Sequence, residues 1–213
     1  MKKNSNKISI FQQYEACVLE TGARPGNVFD FCSKAGIAEP AFYEKFGSLE
    51  GLENALIAHW FEETAIRIKS EDVFLAYGAR EKLLALYFAF FEDMVSHRSY
   101  MLLLSKGMFQ DMQHLKSLDQ LHTVFKNHVG QIVTEGVANG EFEDRKPLTG
   151  KYVNLVWLNF LFVLKFWIED RSAGMERTDA CIEKSLSLTL DMMGRNTLDQ
   201  LWDFGKFMFA PKA

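Results

Sequence analysis

The stretch Phe31-Cys-Ser-Lys-Ala-Gly-Ile-Ala-Glu-Pro-Ala-Phe-Tyr-Glu-Lys-Phe-Gly-Ser-Leu-Glu-Gly-Leu52 constrains this chain more than any other. Gly36 marks a tight turn, where positive φ is easiest for glycine. Before it, Asn27 can cap a short helix running to about Ala35, with Val28, Phe31 and Cys32 on its buried side. After it, Pro40 falls in the first turn of a second short helix, about Glu39 to Phe46, where a missing N–H is harmless. Phe42 and Phe46 face inward, and Ile37 plugs the angle between the two helices. Glu39, Ala41, Tyr43 and Lys45 are left to look outward, and Ser48 can cap the longer helix that follows. This layout is a helix-turn-helix, a device for laying a helix into a DNA groove.

The periodicity elsewhere is helical. Phe11, Tyr14 and Val18 form one stripe on a first helix, about Lys7 to Thr21, with Gly22 as its stop. The basic, polar residues 1–7 read as an arm. Leu52, Leu56 and Trp60 mark the inner stripe of a helix over about 49–70. Further helices are expected near 80–97, 99–106, 115–138, 149–171 and 178–193, with a weaker one at 197–206. Asn139-Gly140 reads as a helix end and the polar run 141–147 as a loop. Alternating Val/Thr-rich runs, repeats and low-complexity tracts are absent. The expected fold class is all-α, with about nine helices: a three-helix head over residues 1–47 and a helical body over 48–213.

Several function classes are disfavoured. The net charge of -4 gives no bulk attraction to nucleic acid or to an anionic membrane, so any such surface is local. The apolar run Tyr152 to Ile168 is at the lower limit for crossing a bilayer and is interrupted by Asn154, Asn159 and Lys165, which suits a core helix rather than a membrane span. Cys17, Cys32 and Cys181 are far apart and form no CxxC, which fits buried reduced thiols in a cytoplasmic protein. The histidines, His59, His97, His114, His122 and His128, show no metal-binding spacing beyond a distant His114/His122 pair, so no metal or cofactor is expected. No phosphate loop or nucleophile elbow is present, so no enzyme is expected.

The turn Ala35-Gly36-Ile37, the pair Phe42-Tyr43, the run Phe46-Gly47-Ser48, then Glu50 and Leu52 resemble the TetR family of bacterial transcriptional regulators. Phe31 takes the usual Ile position. The motif match covers about residues 8–60, and the rest agrees only in helix order. The resemblance implies a homodimeric DNA-binding regulator, usually a repressor, with a small hydrophobic ligand held in the body. DNA contact is expected from Asn27, Lys34, Ala38, Glu39, Pro40, Ala41, Tyr43 and Lys45. The aromatic content, 19 Phe, 4 Trp and 6 Tyr, suggests a ligand pocket at Trp60, Tyr87, Phe88, Phe91, Phe109, Met112, Trp157, Phe160 and Phe166. Family likeness puts the dimer interface on the last two helices, at Tyr152, Val156, Val163, Ile182, Leu186 and Leu190.

The head departs from the family in charge. Glu39 and Leu49 stand where the family usually has lysines. From Gly22 to Leu52, Arg24, Lys34 and Lys45 face Asp30, Glu39, Glu44 and Glu50, so the segment is acidic by one charge. Phosphate neutralisation supplies most non-specific affinity. A rival expectation follows: a protein of the same fold that has given up DNA and binds lipid or a partner protein.

Overall fold

In a computed structural model, the structure describes residues 2–105, 118–146 and 148–194, and these are helices joined by turns, with no strand among the described residues. In chain order they are α1 (Lys2–Thr21), α2 (Val28–Ala35), α3 (Glu39–Tyr43), α4 (Leu49–Lys69), α5 (Asp72–Ala76), α6 (Ala79–Asp93), α7 (Arg98–Leu104), α8 (Asp119–Ala138), α9 (Tyr152–Glu169) and α10 (Glu176–Met193). Short 3-10 turns lie at Met94–His97, Thr149–Lys151 and Ala173–Met175. Two elements differ from the sequence reading. Residues 2–7 continue α1 rather than forming an arm, and α5 is an added turn of helix too short to show a period. The expected tail helix at 197–206 lies outside the described residues.

The chain divides into two compact units. One comprises Met1–Glu63 with Glu92–Val124, the other Thr64–Phe91 with Phe125–Ala213. The division falls inside α4, beyond the functional boundary expected at residue 47. The first half of α4 belongs to the head because Leu52, Leu56 and Trp60 are buried there.

In the first unit, Ile10, Phe11, Tyr14 and Val18 form the buried face of α1. The Phe31 ring sits edge-on to Tyr14 at 5.1 Å and to Phe42 at 6.0 Å, which locks α2 and α3 onto α1.

In the second unit, α9 and α10 pack side by side, burying Val156, Phe160, Val163 and Trp167 of one and Ile182, Leu186 and Leu190 of the other. The turn between them is held by Asp170. Its carboxylate accepts from Ser172 N and Oγ, both at 2.8 Å, and from Thr178 N at 2.9 Å and Oγ1 at 2.7 Å. Gly136 admits the Phe142 ring beside Ala79; a Cβ there would overlap both. Residues 149–169 form the one described stretch long and apolar enough to cross a membrane. Its inward face is covered by the chain's own core.

Candidate nucleic-acid interface and effector site

The head is built as its sequence dictates. Asn27 has extended backbone and its side chain accepts from Asp30 N at 2.8 Å, capping α2. The same side chain donates to Asp30 Oδ2 at 3.0 Å. Asn27 is therefore engaged in capping while remaining exposed at the start of α2. Gly36 takes the left-handed conformation, φ 65°, and ends α2 by donating to Cys32 O. Ser48 Oγ accepts from Gly51 N at 3.0 Å and starts α4.

Phe42 and Phe46 are buried, so the other side of α3 is free to face a ligand. Ala38, Pro40, Tyr43 and Glu44 are exposed there, Tyr43 at 53%, with Glu39, Ala41 and Lys45 half-buried. Lys34 is exposed on α2. Of the expected DNA-contacting residues, Asn27, Lys34, Ala38, Pro40 and Tyr43 are thus exposed and Glu39, Ala41 and Lys45 half-buried.

The charge inventory changes in three dimensions. Arg24 is paired with Glu53, Nε to Oε1 at 2.9 Å, so it counts little toward a phosphate. Lys7 is held in α1 with Nζ 5.5 Å from the Phe11 ring centre and 5.7 Å from that of Phe46. This puts a fixed cation beside the end of the motif. Burial, and then the Glu39 carboxylate, push the Cys32 thiol up from its ordinary 9.0, so it stays a neutral core group.

The expected effector residues separate on inspection. Phe160 is the hub of an aromatic cluster in the second unit. Its ring lies 4.9 Å from Phe125, 5.4 Å from Phe90, 5.5 Å from Tyr87, 5.7 Å from Phe91 and 5.6 Å from Trp157, the last stacked. The Tyr87 hydroxyl donates to Val156 O at 2.8 Å, so its polar end is satisfied. Burial pushes that hydroxyl's pKa well above the usual tyrosine value. Sequence reasoning missed Phe90 and Phe125, which are inward-facing at spacings shared with ordinary core. Phe88, by contrast, is 37% exposed, and Phe166 is half-buried under the Arg177 guanidinium at 5.8 Å. Trp60 belongs to the first unit, stacked on His97 at 4.0 Å. Phe109 and Met112 lie outside the described residues.

Phe90, Phe125, Tyr87 and Phe160 are buried against one another in this cluster. Among the described residues, open space also lies along α8. One groove of about 480 Å³ runs between Val133, Thr134 and Val137 of α8 and Thr149, Gly150 and Val153. That volume is of ligand size.

The six expected interface residues, Tyr152, Val156, Val163, Ile182, Leu186 and Leu190, are 0–4% exposed within the single chain. They pack α9 against its own neighbours and have no surface left to bury against a second subunit. The exposed apolar residues of the same helices are Leu158 at 63%, Phe162 at 54% and Leu188 at 64%.

Comparison with known proteins bears on the whole chain. Residues 82–208 match the family model described as tetracyclin repressor-like, C-terminal domain. No curated protein matches. Among solved structures, a putative TetR-family transcriptional regulator from Syntrophomonas wolfei superposes with a TM-score of 0.62 at 14% identity, covering 90% of this chain and 96% of that one. The transcriptional regulator FadR from Bacillus subtilis, in complex with stearoyl-CoA, gives 0.62 at 17% identity, covering 86% and 97%. The fatty acid degradation regulator FadR from Bacillus halodurans gives 0.63 at 17% identity, covering 86% and 94%. At these identities the structural likeness speaks for the fold.

Proposed function

The chain belongs to the TetR family of transcriptional regulators, and from that premise we propose that it is a cytoplasmic, homodimeric repressor whose grip on an operator is relaxed by a small hydrophobic ligand. The observation that carries this reading is the α2–α3 unit. Its buried side is satisfied by Phe31, Phe42 and Phe46, while Tyr43, Pro40 and Ala38 stand exposed on the other. Tyr43 touches the core edge-on at Phe42, 5.5 Å between ring centres, yet stays 53% exposed on a five-residue helix, so about half of it is open to a partner. Lys34, Lys45 and Lys7 supply the phosphate contacts, and Tyr43 and the α3 backbone fix the register.

The effector side rests on the aromatic cluster around Phe160 and on the apolar groove along α8. Both suit an elongated, apolar molecule. The stearoyl chain of the acyl-CoA bound by the Bacillus subtilis relative has that chemistry, its CoA end being polar and anionic, and stearoyl-CoA is the first compound to try. A ligand acts only by preferring the geometry that does not bind DNA. The dimer forms through the outer faces of α9 and α10, with Leu158, Phe162 and Leu188 as its apolar anchors. Phe162→Glu is expected to give a monomer by light scattering while leaving helicity intact.

Glu39 and Glu44 favour the rival, a relative that has given up DNA. Purified protein mixed with the DNA upstream of its own gene separates the two. Retention that weakens with salt supports the regulator; no retention at low salt, with lipid co-purifying, supports the rival.

A further inference from the structure

Arg24 stands in the loop between α1 and α2, just ahead of the Asn27 cap that opens the reading motif. Its guanidinium forks. Nε donates to Glu53 Oε1 of α4 at 2.9 Å, and a terminal nitrogen lies 3.5 Å from the carbonyl of Leu104, the last residue of α7. Glu53 is 6% exposed and also accepts from the Tyr14 hydroxyl of α1 at 2.5 Å. Burial raises the Glu53 carboxyl above its ordinary 4.5 against the pull of Tyr14 and Arg24. A carboxylate placed at such expense in the head's core adds little net stability, so stability alone does not account for it.

α7 and the turn before it are tied to the same unit at further points. His97 Nδ1 lies 2.6 Å from Glu15 Oε1 and its ring stacks on Trp60. Tyr100 packs edge-on against Trp60 at 5.6 Å and Tyr14 at 6.4 Å. Arg24 is the one charged group among these contacts that joins α7 to the loop entering α2. Its Leu104 contact is at the outer limit of a hydrogen bond. A shift of α7 by under about 1 Å makes or breaks it, while the Glu53 half holds.

We propose that Arg24 is a positioning residue that couples the position of α7 to the setting of α2, and so to the recognition helix that α2 carries. The proposal rests on the DNA-binding reading above. Coupling is reciprocal, so DNA held by the head must tighten α7 as much as α7 tightens the head. Lysine is a poor stand-in for Arg24, because its three donors sit on one nitrogen, whereas the guanidinium meets Glu53 and the Leu104 carbonyl with two separate nitrogens.

The test is hydrogen exchange by mass spectrometry on the full chain, with and without a duplex carrying the sequence upstream of its own gene. In the wild type, DNA slows exchange across Arg98–Leu104 about fivefold. In Arg24→Lys, which keeps the ion pair and the fold, and in Arg24→Gln, the duplex still binds but leaves that segment's exchange unchanged. The same slowing in either variant overturns the proposal while leaving the regulator reading intact. So does a wild type that binds DNA without slowing α7. A variant that keeps its Tm yet loses all DNA binding shows Arg24 touching phosphate itself, which also overturns the positioning role. No retention of DNA by the wild type at low salt overturns the regulator reading and the proposal together.

Discussion

Phe160→Ala tests whether the aromatic cluster is packed core in the absence of an effector. Phe160 is fully buried and its ring meets five others at 4.9–5.7 Å. Truncating a buried Phe to Ala costs about 3–5 kcal/mol, the transfer term plus the cavity left behind. Collapse is hindered here. Phe90, Phe125 and Tyr87 are fully buried, and the Tyr87 hydroxyl is tied to Val156 O. The cost therefore falls in the upper half of that range, about 4–5 kcal/mol. At about 2–4 °C per kcal/mol for a chain of this size, Tm drops by roughly 8–20 °C. Phe88→Ala, on the same helix but 37% exposed, is the control and costs about 1–2 kcal/mol, well short of the Phe160 loss. Thermal denaturation followed by circular dichroism reads both. A Phe160→Ala loss below about 1 kcal/mol would refute the packing argument and mean that the cluster is a preformed cavity.

The other predictions concern the head and the α9–α10 turn. Asn27→Ala removes the α2 cap and destabilises the head by about 1 kcal/mol, read as a lower urea midpoint; Asn27→Ser keeps a capping oxygen and recovers most of that loss, whereas Asn27→Asp keeps the cap but sets a carboxylate against Asp30. Glu39→Lys tightens DNA binding and steepens its salt dependence by about one unit per subunit. Unchanged affinity would show that α3 does not approach phosphate. Asp170 is desolvated, which alone would raise its pKa, yet the hydrogen bonds from Ser172 and Thr178 win and lower it from 3.8 to about 2. A carboxyl lowered in the folded state stabilises above its unfolded value and loses that contribution as pH falls from about 4 toward 2. Asp170→Asn should therefore destabilise the fold at neutral pH by on the order of 2 kcal/mol, read as a lower Tm, and flatten the acid side of the stability profile.

The head was legible in the sequence because each of its features has one physical reading. Gly36 must supply positive φ, Asn27 and Ser48 must cap, and Phe42 and Phe46 must turn inward. The surface features were less legible. An apolar stripe such as Ile182, Leu186 and Leu190 reveals a buried face without saying what covers it, and here it is the chain's own core. Aromatic identity misled in the same way. Phe88 and Phe91 are neighbours on α6, but only Phe91 joins the cluster, and Trp60 packs in the other unit. Residues 2–7 looked too polar for structure, yet they extend a helix that is already anchored by Ile10, Phe11 and Tyr14. The Arg24–Glu53–Tyr14 cluster joins positions too far apart in sequence for any local pattern to reveal.

In the proposed function this acidic chain holds DNA through α3. Titrating a labelled duplex from upstream of its own gene, by fluorescence anisotropy between about 50 and about 200 mM salt, tests it most directly. With Lys7, Lys34 and Lys45 of each subunit on phosphates, log K falls against log salt with a slope of about −5. Alanine at Tyr43 weakens the specific duplex more than a scrambled one. No binding at the lowest salt, or binding indifferent to both salt and Tyr43, would show that α3 is not a DNA-reading helix.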